Sequence, residues 1–267
     1  MTADQVFRAL HAGPDLLILP NAWDGGSARV IEAAGAKAIA TSSAAVAWSH
    51  GYPDGQRMPF ERVIATIEDI VRAVKVPVSA DVESGYGDTA AGVEQPVARV
   101  IAAGAVGVNI EDGLAPPELL CAKIERARTI AAKAGVDLWI NARTDVYLRK
   151  LVAGGEAFNE SVRRAALYTA AGADSIFVPA LTDADAVGRM VGALKLPLNL
   201  LAWPGLPDAA TLKRLGVRRL SAGGHIGRAA FDRIYVLAKS FLAEGRMETL
   251  VTPPATVPNL NELMPRL

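Results

Sequence analysis

Carboxylate side chains follow two short apolar segments near the middle of the chain. Asp81 and Glu83 come directly after the first segment, and Glu111 and Asp112 come directly after the second. If the two segments are neighbouring parallel strands, the four acids repel one another unless they are protonated or bridged by a cation. An oxygen-rich site of this kind suits Mg²⁺, or Mn²⁺, with several waters retained. The alternative for any single acid is that it caps a helix or forms a salt bridge.

A basic residue, Arg143, follows another apolar segment at 138–142. A guanidinium group can bind a carboxylate through two parallel hydrogen bonds. Arg143 is therefore a candidate to bind an anionic substrate. The alternative is an ion pair with Asp145 or with another acid at the same edge of the sheet.

The elements that must position these residues alternate regularly along the chain. Short apolar segments of strand length are followed by longer amphipathic segments of helix length. The predicted strands are 16–20, 38–41, 76–80, 107–110, 138–142, 175–178, 196–200 and 218–221. The predicted helices are 27–34, 60–74, 91–103, 118–134, 156–171, 184–194, 209–215 and 226–244. This alternation predicts an α/β fold, a (β/α)8 TIM barrel, in which catalytic residues follow the strands.

Glycines mark the ends of the predicted helices. They stand between the last helical residue and the next strand, where a left-handed residue stops a helix. The five positions are Gly35, Gly104, Gly135, Gly172 and Gly216. An open doubly wound sheet would instead carry a glycine-rich dinucleotide loop after the first strand, and residues 20–26 lack that fingerprint.

The length of 267 residues suits one barrel, which we place at 1–244. Residues 245–267 break the alternation and contain four prolines. We interpret this segment as a C-terminal helical arm that could pack on a neighbouring subunit.

The composition excludes several classes of partner. Basic and acidic residues number 28 each, so the chain lacks the excess of positive charge that would indicate binding to nucleic acid or to a membrane surface. The sequence contains no apolar run of about 18 residues, the length that would predict a membrane span. We expect a cytoplasmic protein. The single cysteine, Cys121, can form neither an internal disulfide nor a cysteine metal cluster. We interpret it as a small buried apolar side chain.

Six segments of the chain together resemble the isocitrate lyase and phosphoenolpyruvate mutase superfamily, in its phosphonomutase-like branch. Each alone is weak, but their order and spacing are specific. They are 19–24, 40–43, 51–55, 81–87, 109–112 and 141–145.

The resemblance implies a role for each candidate residue. Asp81 resembles the principal Mg²⁺ ligand, and Glu83 and Glu111 resemble the acids that hold metal-bound waters. Asp54 resembles the aspartate near the reacting bond, and Arg143 the substrate-binding arginine. The further candidates for substrate binding are Ser42, Ser43, Ala44, Trp23 and Asn199. The resemblance also implies a homotetramer, built as a dimer of dimers.

The chain departs from the lyases of this superfamily after the fourth strand. Their catalytic cysteine loop is replaced here by a short segment that runs from Glu111 to a helix near residue 118. A site without this lid excludes water less well, which favours a smaller substrate. We therefore expect a lyase or decarboxylase that cleaves a C–C bond of an oxaloacetate-like 2-oxo acid through an enolate.

Two alternatives stay open. The first is P–C bond chemistry, as a phosphonomutase or a phosphonopyruvate hydrolase, for which only Arg143, Asn199 and His225 are candidates to hold a phosphoryl group. The second is a 2-oxo acid binder with little or no turnover.

Overall fold

The computed structural model describes residues 1–250 and 257–264, and its central feature is one parallel sheet. The strands are β1 Leu17–Leu19, β2 Asn21–Ala22, β3 Ile39–Thr41, β4 Val78–Asp81, β5 Gly107–Glu111, β6 Trp139–Arg143, β7 Ser175–Phe177, β8 Leu198–Leu201 and β9 Arg219–Ser221. Only Pro20, which has no N–H to donate, separates β1 from β2. β1 pairs with β9 and β2 pairs with β3, so the sheet closes on itself. The predicted (β/α)8 TIM barrel is confirmed.

Helices surround this barrel in the alternating order that the sequence predicts. They are α1 Ala3–Ala12, α2 Gly25–Ala33, α3 Ser43–Ser49, α4 Phe60–Ala73, α5 Glu94–Ala102, α6 Pro117–Ala134, α7 Glu156–Ala171, α8 Ala184–Ala193, α9 Ala209–Arg214, α10 His225–Glu244 and α11 Leu260–Leu263. Two of these helices, α1 and α3, are not predicted from the sequence. The α1 helix places Phe7 and His11 against Trp139 of β6. The α3 helix follows β3 directly and is only seven residues long.

The five predicted glycine stops all adopt left-handed backbone conformations. Their φ angles are 101° at Gly35, 92° at Gly104, 69° at Gly135, 104° at Gly172 and 89° at Gly216. Side chains other than glycine rarely adopt such angles, so these positions end each helix and turn the chain into the next strand.

Polar side chains fill the inside of the barrel and form a hydrogen-bonded chain. The Trp139 indole N–H donates to Ser175 Oγ at 2.8 Å, and Ser175 Oγ donates to Asn141 Oδ1 at 2.7 Å. Asn141 Nδ2 then donates to Asn109 Oδ1 at 2.7 Å. Asn109 Nδ2 donates in turn to Asp81 Oδ1 at 3.3 Å. The apolar core lies outside the barrel, between the strands and the surrounding helices.

The C-terminal segment begins after α10. Residues 247–249 form a 3-10 helix, and α11 lies on α2 of the same chain, where Arg29 Nε donates to the Leu263 carbonyl at 2.9 Å. Residues 251–256 and 265–267, which include three of the four prolines, lie outside the described residues. The arm's packing on another subunit stays a prediction. Of the helices that the structure describes, none has the length and apolar character of a membrane span.

Candidate active site

A cavity of about 440 Å³ opens at the carboxyl ends of the strands. In parallel barrels this is the face that carries the catalytic residues. Seven residues that the sequence analysis names as candidates line the cavity, and they come from five separate parts of the chain. They are Ser42, Ser43, Ala44, Asp54, Asp81, Arg143 and His225.

Asp81 is held rigidly at the end of β4. Its Oδ2 accepts a hydrogen bond from the Ser43 backbone N–H at 3.1 Å, and its Oδ1 accepts from Asn109 Nδ2 at 3.3 Å. Its own backbone N–H donates to Thr41 Oγ1 at 2.8 Å. Ser43 begins α3, so the carboxylate also lies at the positive end of that helix.

Two further acids lie near Asp81. Burial, followed by the charge of Asp81, raises the pKa of Asp54, and a hydrogen bond with Ser43 opposes this rise. Burial and the same charge raise the pKa of Glu83 to about 7. Glu83 has a positive φ of 51°, and its Oε1 accepts a hydrogen bond from the Tyr86 hydroxyl at 3.1 Å. The three carboxylates thus concentrate negative charge in a partly buried volume.

Arg143 makes ion pairs on both sides. Its Nη1 lies 2.7 Å from Glu111 Oε2, and its Nε lies 2.7 Å from Asp145 Oδ1. Burial raises the pKa of Glu111 to about 8, although Arg143 opposes the rise. The alternative interpretation of Arg143, an ion pair at the rim, is therefore what the structure shows. The side chain nevertheless lines the cavity, so it can also meet a ligand there.

The acids fit a Mg²⁺ ion that keeps most of its waters. Within residues 1–250 and 257–264, no three His, Cys, Asp or Glu side chains converge closely enough to enclose a metal. Mg²⁺ is commonly bound through one or two carboxylates together with waters and substrate oxygens. Asp81 faces the cavity for such direct contact, while Glu83 and Glu111 flank it without lining it. The metal assignments of these three acids stay predictions.

Two predicted substrate residues lie away from the cavity lining. The ring of Trp23 is turned towards α10 and lies beside Gly227, whereas Trp48 and Trp203 line the cavity. Asn199 is fully buried inside the barrel, where its Oδ1 accepts a hydrogen bond from Ser221 Oγ at 3.2 Å.

Two arginines of the cavity are not predicted as site residues from the sequence. Arg219 lines the cavity from β9 and is 2% exposed, and Arg228 lines it from the first turn of α10. The expectation that only Arg143, Asn199 and His225 could hold a phosphoryl group is therefore wrong. The available signal was strand alternation: Arg218 and Arg219 are consecutive on a barrel strand, so one of them must point inwards.

The connection after β5 is as short as the sequence predicts. Only residues 112–116 separate Glu111 from α6, which begins at Pro117. The Asp112 carboxylate is turned away from the cavity and accepts hydrogen bonds from Arg164 Nη1 at 2.8 Å, Tyr168 Oη at 2.6 Å and the Asp145 backbone N–H at 2.8 Å. Asp112 thus supports the framework, and it positions Asp145, the partner of Arg143.

The fold and the acidic cavity together define an α/β-barrel enzyme. The family model described as phosphoenolpyruvate phosphomutase matches residues 7–242, and the chain belongs to this family. The chain is 36% identical to an uncharacterized protein of Mycobacterium tuberculosis, over 81% of each chain. It is also 32% identical to the oxaloacetate decarboxylase of Ectopseudomonas mendocina, over 82% of this chain and 77% of the relative.

A solved structure with the same fold holds a ligand and a metal ion. It is the crystal structure of phosphonopyruvate hydrolase in complex with oxalate and Mg²⁺, which is 26% identical to this chain. The two superimpose with a TM-score of 0.85, over 98% of this chain and 95% of the other. The resemblance to the phosphoenolpyruvate mutase superfamily is confirmed.

Proposed function

We propose that this protein is a Mg²⁺-dependent lyase or decarboxylase that cleaves the C3–C4 bond of a small, oxaloacetate-like 2-oxo acid. One observation carries the proposal: the cavity brings Asp54, Asp81, Arg143 and the start of α3 together at the carboxyl ends of the strands. The similarity to an oxaloacetate decarboxylase over 82% of the chain supports the substrate class.

The residues of the cavity have separate roles in this reaction. Arg143 binds and orients the 2-oxo carboxylate, with the Ser42–Ala44 segment beside it. Asp81 would hold Mg²⁺, and Glu83 and Glu111 would hold its waters; Mn²⁺ is the other candidate ion. When bound, the ion supplies charge stabilisation for the negative charge that develops on the substrate.

Asp54 is the group that we assign to proton transfer. Decarboxylation breaks the C3–C4 bond, releases CO₂ and leaves an enolate that must regain a proton at C3. Burial and Asp81 raise the pKa of Asp54, so it stays protonated to a higher pH than an exposed aspartate. An acid of this kind is suited to return that proton.

The P–C alternative has its own supporting observation. Arg219 and Arg228 give the cavity two cationic groups beyond Arg143, which a phosphonate or phosphoryl group requires. The similarity to phosphonopyruvate hydrolase is in accord with this chemistry. A third outcome is binding of a 2-oxo acid without turnover. It follows if the short connection after β5 does not exclude enough water from the cavity for catalysis.

We also propose a homo-oligomer, arranged as a dimer of dimers. The α10 helix exposes large apolar side chains to solvent, among them Ile234 at 60%, Tyr235 at 69% and Leu242 at 85%. Apolar side chains grouped on one helix commonly mark a protein interface.

The function is tested by a turnover assay with Mg²⁺ on oxaloacetate, other 2-oxo diacids and phosphonopyruvate. Pyruvate release is followed against a protein-free blank that contains the same Mg²⁺, and ³¹P NMR follows the fate of phosphonopyruvate. The Asp81→Ala variant and EDTA-treated protein serve as controls. Metal-dependent pyruvate release that both controls abolish supports the proposal, and the better substrate decides between C–C and P–C cleavage. Calorimetric binding without turnover on any substrate contradicts an enzymatic function and supports the binder.

A further inference from the structure

An unpaired positive charge lies in the deep part of the cavity. Arg219 is 2% exposed, and its Nη1 has no hydrogen-bond partner among the residues that the structure describes. Its Nε donates to Ser221 Oγ at 3.3 Å. Within residues 1–250 and 257–264, no carboxylate forms an ion pair with this guanidinium. A buried charge without a partner is costly, so a partner is expected when the protein works.

Other donors inside the barrel are also unpaired. Asn199, on the strand beside Arg219, accepts from Ser221 with its Oδ1, but its Nδ2 has no partner within the described part of the chain. Ser79, which lines the same cavity from β4, likewise has no described partner for its Oγ. Native proteins rarely leave buried polar groups unpaired. The three unpaired groups described here, on Arg219, Asn199 and Ser79, can all donate a hydrogen bond.

The electrostatics of the cavity support an anion at this depth. Burial lowers the pKa of Arg219 to about 9, and Asp81 is the charge that acts against this shift. The other arginines of the cavity are already paired: Arg143 with Glu111 and Asp145, and Arg228 with Asp232. Arg219 is therefore the cavity's cation with the most unused capacity for a ligand.

We infer that Arg219 and Ser79 form a second anion-binding subsite in the deep part of the cavity, which takes the second oxyanion group of the substrate. The binding of a first carboxylate at Asp81 and Arg143 is part of the proposed function, and the second subsite rests on it. The subsite selects substrates with two anionic groups over those with one, such as pyruvate. The second group is a carboxylate in a 2-oxo diacid and a phosphonate in a phosphono-oxo acid.

The first experiment tests the subsite without metal or turnover. Thermal melting of wild-type protein and of the Arg219→Met variant is followed in malonate and in inorganic phosphate, with chloride at equal ionic strength as the reference. We expect the two anions to raise Tm of the wild type but not of the variant, and the Arg219→Lys variant to keep part of the effect. In chloride, the Arg219→Met variant should melt at the same temperature as the wild type or higher, because a buried unpaired charge has been replaced by an apolar side chain.

Arg128 provides a matched control. All three of its donor nitrogens are used, on the Gly172 and Leu138 carbonyls, each at 2.6 Å, and on Asp174. The Arg128→Met variant should melt at a lower temperature but respond to the anions as the wild type does. If Arg219→Met also melts lower and keeps the full anion response, Arg219 is a structural residue and the inference is wrong.

The second experiment separates this inference from the proposed function. Calorimetry with Mg²⁺ measures pyruvate binding, and kinetics measure KM for oxaloacetate and phosphonopyruvate. We expect Arg219→Met to leave pyruvate affinity unchanged and to raise KM for the dianionic substrate about 10- to 100-fold. The substrate whose KM rises identifies the second group. If the wild type binds no oxo acid yet shows the Arg219-dependent anion response, the proposed function fails and the subsite stands. An equal KM in the two proteins overturns the subsite.

Discussion

Asp81 Oδ2 accepts a hydrogen bond from the backbone N–H of Ser43 at 3.1 Å, which links the predicted metal ligand to the predicted carboxylate-binding segment. A substrate carboxylate that approached this N–H would meet the charge of Asp81. A cation at Asp81 removes that repulsion, so metal and substrate are expected to bind in an ordered manner, with the metal first.

The Asp81→Asn variant tests the charge of this side chain separately from its shape. Asparagine keeps the volume and an oxygen that can accept from Ser43, but it removes the negative charge. We expect Mg²⁺ affinity and kcat/KM to fall about 100-fold or more, with little change in Tm. Calorimetric Mg²⁺ titration, steady-state kinetics and thermal melting measure these effects. The exposed Asp69, changed to Asn, is the matched control, and near-normal activity of Asp81→Asn would contradict the metal assignment.

The buried cluster around Asp112 provides a prediction about stability. The Asp112 side chain is fully buried and accepts hydrogen bonds from both Arg164 and Tyr168. Arg164→Met leaves a buried carboxylate without its cation and should lower the free energy of unfolding by about 3 kcal/mol or more. Tyr168→Phe removes a neutral donor and should cost about 1–2 kcal/mol. Urea denaturation measures both changes.

Arg163 is the control for this cluster because it is the chain neighbour of Arg164. Its side chain is 51% exposed and, among the described residues, pairs with Glu160 alone. Arg163→Met should change the free energy of unfolding by less than about 0.5 kcal/mol. If Arg164→Met and Arg163→Met lower the free energy of unfolding equally, the buried ion pair between Arg164 and Asp112 adds no specific stability.

The sequence predicts the barrel well because its strands are short, apolar and separated by amphipathic helices that end at glycine. It predicts the Asp81 and Arg143 positions because they follow strands and the strand ends meet at one face, whereas Asp54, which comes after α3, is predicted only from the family resemblance. It does not predict which residues point inwards. The sequence places Arg219 on a strand without indicating a role, and it predicts Trp23 at the cavity, although the Trp23 ring packs beside Gly227. Side-chain direction at strand ends depends on packing between distant elements, which a single sequence does not encode locally.

The pH dependence of stability should depend on His11 beneath the barrel. This ring stacks on Trp139 with a centroid distance of 4.0 Å, and Nδ1 lies 2.8 Å from the Phe7 carbonyl. Burial lowers its pKa from 6.5 to about 3. Between these values the unfolded chain binds a proton that the folded protein does not, so stability falls as the pH falls below 6.5.

Comparison with the His11→Phe variant isolates this contribution, since phenylalanine retains an aromatic ring against Trp139. Between pH 7.5 and 5.5 the wild type should lose about 1 kcal/mol more of its free energy of unfolding than the variant does. Urea denaturation at the two pH values measures the difference. Parallel pH profiles for the two proteins would mean that folding does not lower the pKa of His11.

The close approach of α10 to α3 depends on Gly227. A Cβ atom at this position would lie 2.7 Å from Ala45 Cβ and 3.3 Å from Trp23 Cε3. Gly227→Ala must therefore push α10 outwards and should lower the free energy of unfolding by about 1–3 kcal/mol. Since His225 and Arg228 of the same helix line the cavity, KM should rise as well.

In α8, Gly192 has no described atom within 4 Å of its added Cβ, and Gly192→Ala should be neutral or stabilise the protein by up to about 1 kcal/mol. Urea denaturation and kinetics compare the two variants; a Gly227→Ala protein as stable as Gly192→Ala would show that α10 can shift without cost, and that Trp23 and Ala45 do not fix its position.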